Sequence, residues 1–272
     1  MKVLLYLLTL GFVLSCSTTK NLRDENNKLF KAIAEAEYSA KRKGELTREE
    51  ALKKLSKRKF YDNQGILVGY WNYELDGTIY EQTKLLKNKK HKLIKSSTYD
   101  SQGNLKRYII TESDEKGNII VYRTFDSNHK AISIQKNEYD SNENVISMSR
   151  TSVTANKSSK TSSKYNSKNQ LIEKTEYKPD GSIKDVRTYK YDKTGNEIES
   201  DLRRPNGYYT RFISEFDQNN NLTIQNWYDE SGKQTHRTSF SHEYDKNNNW
   251  ITRKRYSNGK LGYVWERIIE YH

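Results

Sequence analysis

The sequence predicts an all-β repeat array: a long antiparallel meander of hairpins, built from double-hairpin repeats of about 26 residues and preceded by two short helices. Three observations predict it. A turn signal returns about every 12–14 residues from Tyr99 to Tyr256. Its register alternates between two series. Tyr99-Asp100, Phe125-Asp126, Tyr177-Lys178, Tyr228-Asp229 and Tyr256-Ser257 form one; Ser113-Asp114, Tyr139-Asp140, Tyr165-Asn166, Tyr191-Asp192, Phe216-Asp217 and Tyr244-Asp245 form the other. Between turns lie runs of about eight or nine residues rich in Tyr, Ile, Thr and Val, the side chains that suit a pleated surface. In such an architecture no unit buries a face alone, and neighbours supply each other's core.

The chain opens with the basic Met1-Lys2 and an apolar run from Val3 to Leu14. That run is too short to span a bilayer as a helix and matches the core of a secretory signal. It ends at Val13-Leu14-Ser15-Cys16, which resembles a bacterial lipobox, and Cys16 is the only cysteine of the 272 residues. The resemblance implies a signal peptide and lipobox over 1–16, with Cys16 lipidated as the new N-terminus. The remaining alternative is an ordinary signal peptide with an incidental cysteine. An exported chain with one cysteine has no internal disulfide, so lipidation gives the odd thiol a role. The expected address is the cell envelope, as a lipid-anchored membrane protein of the outer membrane, with the leaflet left open. Residues 17–27 are polar and read as a flexible tether.

A helical cap is expected over 28–59. Leu29, Ile33, Ala36 and Ala40 share one helical stripe, predicting a helix over about 26–43. Thr47-Arg48-Glu49-Glu50 fits a capping box ahead of Ala51, Leu52 and Leu55, predicting a second over about 48–59. Their expected role is to cover the open end of the array. The alternative for Lys53, Lys54, Lys57, Arg58 and Lys59 is contact with anionic lipid.

Residues 60–272 form the β-repeat domain, expected to hold roughly sixteen strands in eight repeats. Two kinds of turn alternate. One runs Tyr-Asp-x-x-Gly/Asn, as in Tyr61-Asp62-Asn63-Gln64-Gly65 and Tyr191-Asp192-Lys193-Thr194-Gly195; the other centres on pairs such as Asp76-Gly77, Asp180-Gly181, Asn206-Gly207 and Asn258-Gly259. Gly and Asn supply the positive φ that tight hairpins need, and a turn-entry Asp accepts from backbone amides two residues on. The pattern thins at Thr151–Lys164, the stretch expected to be most mobile. Pro179 and Pro205 are the only prolines, and both fall in turns. A four-blade propeller is the structural competitor, although nothing marks a super-period of about 52 residues.

The Tyr-Asp-x-x-Gly turns resemble the YD repeats of the RHS family, and Tyr177-Lys178-Pro179-Asp180-Gly181-Ser182 resembles the MORN-type repeats of YwqK-like antitoxin proteins. The likeness covers the repeat domain. It implies a β-repeat architecture and brings no catalytic residues. In the RHS family long arrays wind into a toxin-enclosing shell, which eight short repeats are too few to close.

Catalytic, metal and cofactor signatures are all absent from the sequence, so no enzyme is expected. His236 and His242 share a strand face but stand about 20 Å apart, too far to hold one metal. Asp140-Ser141-Asn142-Glu143-Asn144, Asp217-Gln218-Asn219-Asn220-Asn221 and Asp245-Lys246-Asn247-Asn248-Asn249 imitate the first half of a calcium loop. The closing bidentate Glu is missing, which leaves turn chemistry. The net charge is +13, and half of what remains after the signal peptide lies in residues 17–60, so no concentrated basic stripe announces nucleic acid. Tyrosine is abundant, at 21 residues, and recurs at the fixed turn position. Trp227, Trp250 and Trp265 are the better candidates for ligand contact. The expected function is a non-enzymatic envelope lipoprotein, held to the membrane through Cys16, whose sheet is a binding or scaffold surface for envelope polysaccharide or protein. The alternative is an immunity or antitoxin-type protein that neutralises a toxin at the envelope.

Overall fold

A computed structural model of the chain describes residues 29–89 and 91–272. Cys16, the lipobox and the tether lie outside the described residues. The first strand is β1 (Phe30–Ser39), followed by α1 (Ala40–Lys43) and α2 (Arg48–Leu52). Then come β2 (Lys57–Tyr61), β3 (Leu67–Tyr73), β4 (Ile79–Lys87), β5 (Leu93–Tyr99), β6 (Leu105–Ser113), β7 (Ile119–Asp126), β8 (Ala131–Tyr139) and β9 (Val145–Ser152). The second half holds β10 (Lys157–Tyr165), β11 (Leu171–Tyr177), β12 (Ile183–Tyr191), β13 (Glu197–Arg203), β14 (Tyr209–Phe216), β15 (Leu222–Tyr228), β16 (Gln234–Tyr244), β17 (Trp250–Ser257) and β18 (Lys260–Tyr271).

The antiparallel meander is present, but it is closed rather than open. Each strand pairs with the next, and β1 pairs with both β2 and β18, so the 18-stranded sheet is a ring. The seam runs from Phe30↔Tyr271 to Ser39↔Tyr263. An even number of strands lets every pair remain antiparallel on closure. Following the register once around returns to β1 displaced by about 20 residues, which implies strands tilted roughly 40° and a backbone radius of about 17 Å. That is wide enough for an open bore.

Closure corrects the expected role of the helical region. There is no open end to cap, and residues 30–39 form a strand where a helix was expected. Ala32, Ala34, Ala36 and Tyr38 are all buried and all face one way, a period of two that outweighs the helical reading once β18 and β2 offer ladder partners. The second helix is present but short, with the anticipated capping box: Thr47 accepts from Glu50 N, and the Glu50 carboxylate accepts from Thr47 N at 2.8 Å. Residues 57–61 belong to β2. The helices lie across the outer wall of the seam, where Ala36, Tyr38, Val264 and Ala51 make a small dry core, with Leu46 and Leu261 at its margin.

The two kinds of turn prove to be one. In nearly every hairpin the amide of the turn's first residue donates to the carbonyl four residues on, and the amide three residues on donates back, as in Asp62.N→Ile66.O with Gly65.N→Asp62.O, and Arg204.N→Tyr208.O with Gly207.N→Arg204.O. The fourth residue takes the left-handed conformation, whether Gly103, Gly195, Asn169, His129 or Glu143. Where Asp opens the turn, its Oδ1 accepts from amides two and four residues on, as Asp100 does from Gln102 and Asn104. This turn chemistry accounts for the calcium-like segments. The exceptions are the β9–β10 turn and the two-residue Asn258-Gly259 turn, both of whose residues have positive φ. Glu143, at φ 63, supplies a Cβ where glycine is preferred. Glu143→Gly is expected to stabilise the barrel by about 1 kcal/mol, read as a higher urea midpoint at unchanged slope.

Tyrosine at the turn entry is a latch. Tyr139, Tyr165 and Tyr191 donate from Oη to the carbonyls of Ile119, Val145 and Leu171 at 2.8, 2.9 and 2.8 Å. Each bond spans one repeat. Tyr244 and Tyr271 reach instead to the carboxylates of Asp217 and Asp245, at 2.5 and 2.9 Å. All of these latches lie at one mouth of the ring. Leu29 leaves the wall at the same mouth, its carbonyl accepting from His272 N.

Candidate functional site

Alternate side chains along each strand face the bore. The concave wall crowds its side chains, so Thr83, Ser96, Thr98, Asn137, Ser200 and Ser214 are buried there, while Lys136 and Glu138, flanking Asn137, are exposed on the outside. The outer wall is charged along its length: Lys84, Lys136, Lys160, Lys190, Arg237 and Glu243 are all exposed. A charged residue at mid-bilayer on a barrel's lipid face costs about 2–4 kcal/mol for Lys or Arg, and most of these strands are shorter than the roughly 9–11 residues a membrane strand needs. These outer charges would be costly to bury in a bilayer. No described helix is long and apolar enough to cross a membrane.

The two halves of the bore differ. From β4 to β10 the inner wall is dominated by hydroxyls and amides, typified by Thr83 and Thr98, whose hydroxyls meet at 3.1 Å. Arg150 on β9 and a charged knot interrupt it; in the knot the buried Glu81 accepts from Arg107 through both oxygens at 3.1 Å and from Lys106 at 2.8 Å. From β14 to β18 the wall is aromatic and cationic. Registers set its rows: Phe212↔Trp227↔His236 across β14 to β16, and Arg253↔Trp265 and Arg255↔Tyr263 across β17 and β18.

Trp227, Trp250 and Trp265 all fall in this half. Trp227 packs edge-on between Phe212 and His236, with centroids at 5.0 and 5.1 Å. Trp250 has His242 at 6.5 Å and the Arg267 guanidinium over its ring at 3.3 Å. Trp265 stacks near Tyr263 at 6.1 Å and takes Arg253 at 5.4 Å. Trp71 sits on the outer wall against Phe60 at 4.8 Å, and carries no part of the site. The scattered histidines do not gather, and among the described residues no group of His, Cys, Asp or Glu could hold a metal.

The cations of this wall went unremarked in the sequence, although Arg253-Lys254-Arg255 and Tyr263-Val264-Trp265-Glu266-Arg267 show the alternation that puts them beside the rings. Arg253 lies over Phe240 at 4.3 Å and Arg255 over Tyr263 at 4.5 Å. Arg267 donates from Nε to Glu35 at 2.7 Å. Burial pushes Arg253 below its ordinary range, with Arg267 and Arg255 adding repulsion while Glu35 opposes it. Burial also lowers Arg267, which Glu35 counteracts. Burial lowers Lys59 on the adjoining β2 and raises Tyr189 on the other side of the bore.

His242 is held below its usual value by burial first and Arg253 second, with Asp217 opposing. The folded state thus disfavours the proton that the unfolded chain accepts. Stability from this group is full above the unfolded value and falls as pH drops from about 6.5 through the depressed folded value. His242→Phe is expected to flatten that part of the stability profile, measured by urea midpoints between pH 7 and 5.

No protein-family model matches the chain, and no curated protein matches it. Among solved structures, a porin-like protein from Bacteroides uniformis ATCC 8492 aligns over 89% of this chain and 98% of its own at 11% identity, with a TM-score of 0.47. A chain of the TcdB2-TccC3-Cdc42 structure aligns over 84% of this chain at 15% identity and TM-score 0.37; the match covers 15% of that longer chain. Both scores lie below 0.5, and the closed barrel is established instead by this chain's own strand pairing.

Proposed function

We propose that the chain is a non-enzymatic, lipid-anchored envelope protein whose barrel binds envelope glycan along the inner wall of β14 to β18. The carrying observation is that Trp227, Trp250 and Trp265, from three strands, share the inner face of one half of the bore, Trp227 beside His236 towards one mouth and Trp250 beside His242 towards the other. Flat rings on a rigid sheet offer stacking surfaces to the CH faces of sugars, and the hydroxyls and amides opposite offer hydrogen bonds. The lipobox at Cys16 supplies the membrane attachment. From Cys16 to Leu29 the chain spans at most roughly 45 Å, which keeps the barrel close to the bilayer.

The test is retention of glycan by residues 17–272 incubated with envelope extract containing polysaccharide and protein. Retained polysaccharide, lost on Trp265→Ala, is the expected result. Capture of one protein with no glycan would overturn the reading in favour of an immunity-type role.

A further inference from the structure

The inner wall formed by β16, β17, β18 and β1 carries more positive charge than its own carboxylates answer. Arg253, Arg255 and Arg267 occupy neighbouring positions on β17 and β18, Arg253 and Arg255 two residues apart on the same face. The carboxylates on the adjoining face of β1 are Glu35 and Glu37. Glu35 is bonded to Arg267, and Glu37 is exposed opposite Trp265. Arg253 makes no ion pair, and its buried Nε has no hydrogen-bond partner. Lys59, from β2, adds a further cation near Glu35. Guanidiniums crowded on a concave, partly dehydrated wall repel one another, and an anion at their bore-facing ends would remove that repulsion.

We propose that this wall is a binding site for an acidic glycan, a sugar chain bearing carboxylate or phosphate groups, with Arg253 and Arg255 meeting the charges and Trp265, Trp250 and Tyr263 stacking on the rings. This rests on the glycan-binding reading above and specifies its ligand. Interleaving decides the class. A small inorganic anion would use the arginines and leave the rings idle. A neutral glycan would use the rings and leave the arginines unanswered. A chain carrying one charge every sugar or two matches rows in which ring and guanidinium alternate from strand to strand at roughly 5 Å. The bore admits such a chain: a backbone radius of about 17 Å, less roughly 7 Å of side chain, leaves a passage about 20 Å wide.

The experiment is isothermal titration of residues 17–272 with a decamer of galacturonic acid, with dextran of similar length and with decathymidylate. The uronate is expected to bind with affinity that falls as salt rises. Arg253→Gln and Arg255→Gln should each weaken it about tenfold, with unchanged circular dichroism, and Trp265→Ala should weaken it similarly. Trp71→Ala, on the outer wall, should leave it unchanged. Equal, salt-independent binding of dextran and uronate would overturn the charge assignment and leave the glycan reading standing. Binding of neither would overturn both. Tighter binding of decathymidylate than of uronate would replace the ligand class with nucleic acid.

Discussion

Val264→Asp is expected to prevent the ring from closing. Val264 is 1% exposed, the most deeply buried large side chain of the described residues, and lies in the seam opposite Tyr38 and beneath Ala51 of α2. The cation opposite it, Lys254, is already held by Glu45 at 2.6 Å, so folding must either desolvate the new carboxylate, break that pair or push the helix away. The expected cost is at least about 3 kcal/mol. The consequence exceeds the local loss. Once β1 leaves β18, both strands become exposed edges, ready to pair with another copy of the chain. Size-exclusion chromatography should then show soluble aggregate in place of monomer. Val264→Thr, nearly the same shape with one hydroxyl, should lose about 1–3 kcal/mol and remain closed. A monomeric Val264→Asp protein with the parent's urea midpoint would show that the seam does not hold the barrel.

Arg48→Ala is expected to produce the next largest loss, about 3 kcal/mol. Arg48 projects from the first turn of α2 onto the outer wall, where its guanidinium pairs with the Glu266 carboxylate and donates to the carbonyls of Arg267 and, at 3.0 Å, Ile251. Glu266 is 5% exposed, and Thr252 Oγ1 is its other donor, at 2.9 Å. Removing Arg48 leaves a buried carboxylate with that single hydroxyl. Glu266→Gln alone keeps a neutral acceptor and should cost less. The double variant should therefore be more stable than Arg48→Ala, a coupling that urea unfolding of all four proteins measures directly. Additive losses would mean that the pair does not tie the helix to the seam.

Both predictions sit at the seam, which is also where the sequence reading departed most from the structure. Leu29, Ile33, Ala36 and Ala40 fit a helical stripe while Ala32, Ala34 and Ala36 fit a strand face, and alanine's own preference for the helix tips a short run the wrong way. What makes them a strand is the presence of two partners, one more than 200 residues away at Tyr263–Tyr271. By contrast, Asp62, Asp100 and Asp192 announced their turns correctly because the whole device, from the Asx acceptor to the left-handed residue, lies within five residues. The tyrosine latch was half legible. The position of Tyr139, Tyr165 and Tyr191 was plain, whereas the partner carbonyls stand 20 residues back. The tryptophans were selected for being large and placed on strands; the arginines that share their wall needed the face to be known first.

By itself, then, the sequence determined the local grammar: strands of Tyr, Thr and Ile, turns at fixed spacing, a repeat of about 26 residues and a single cysteine in a lipobox context. Only the tertiary structure decided that the meander closes, which face became the bore, and that Trp227, Trp250 and Trp265 line it with Arg253, Arg255 and Arg267. The physical reason is that every hairpin is satisfied equally in an open sheet and in a ring. Closure depends on twist and stagger accumulated over all the strands, and on β1 matching β18 at the point where that sum brings the ends together.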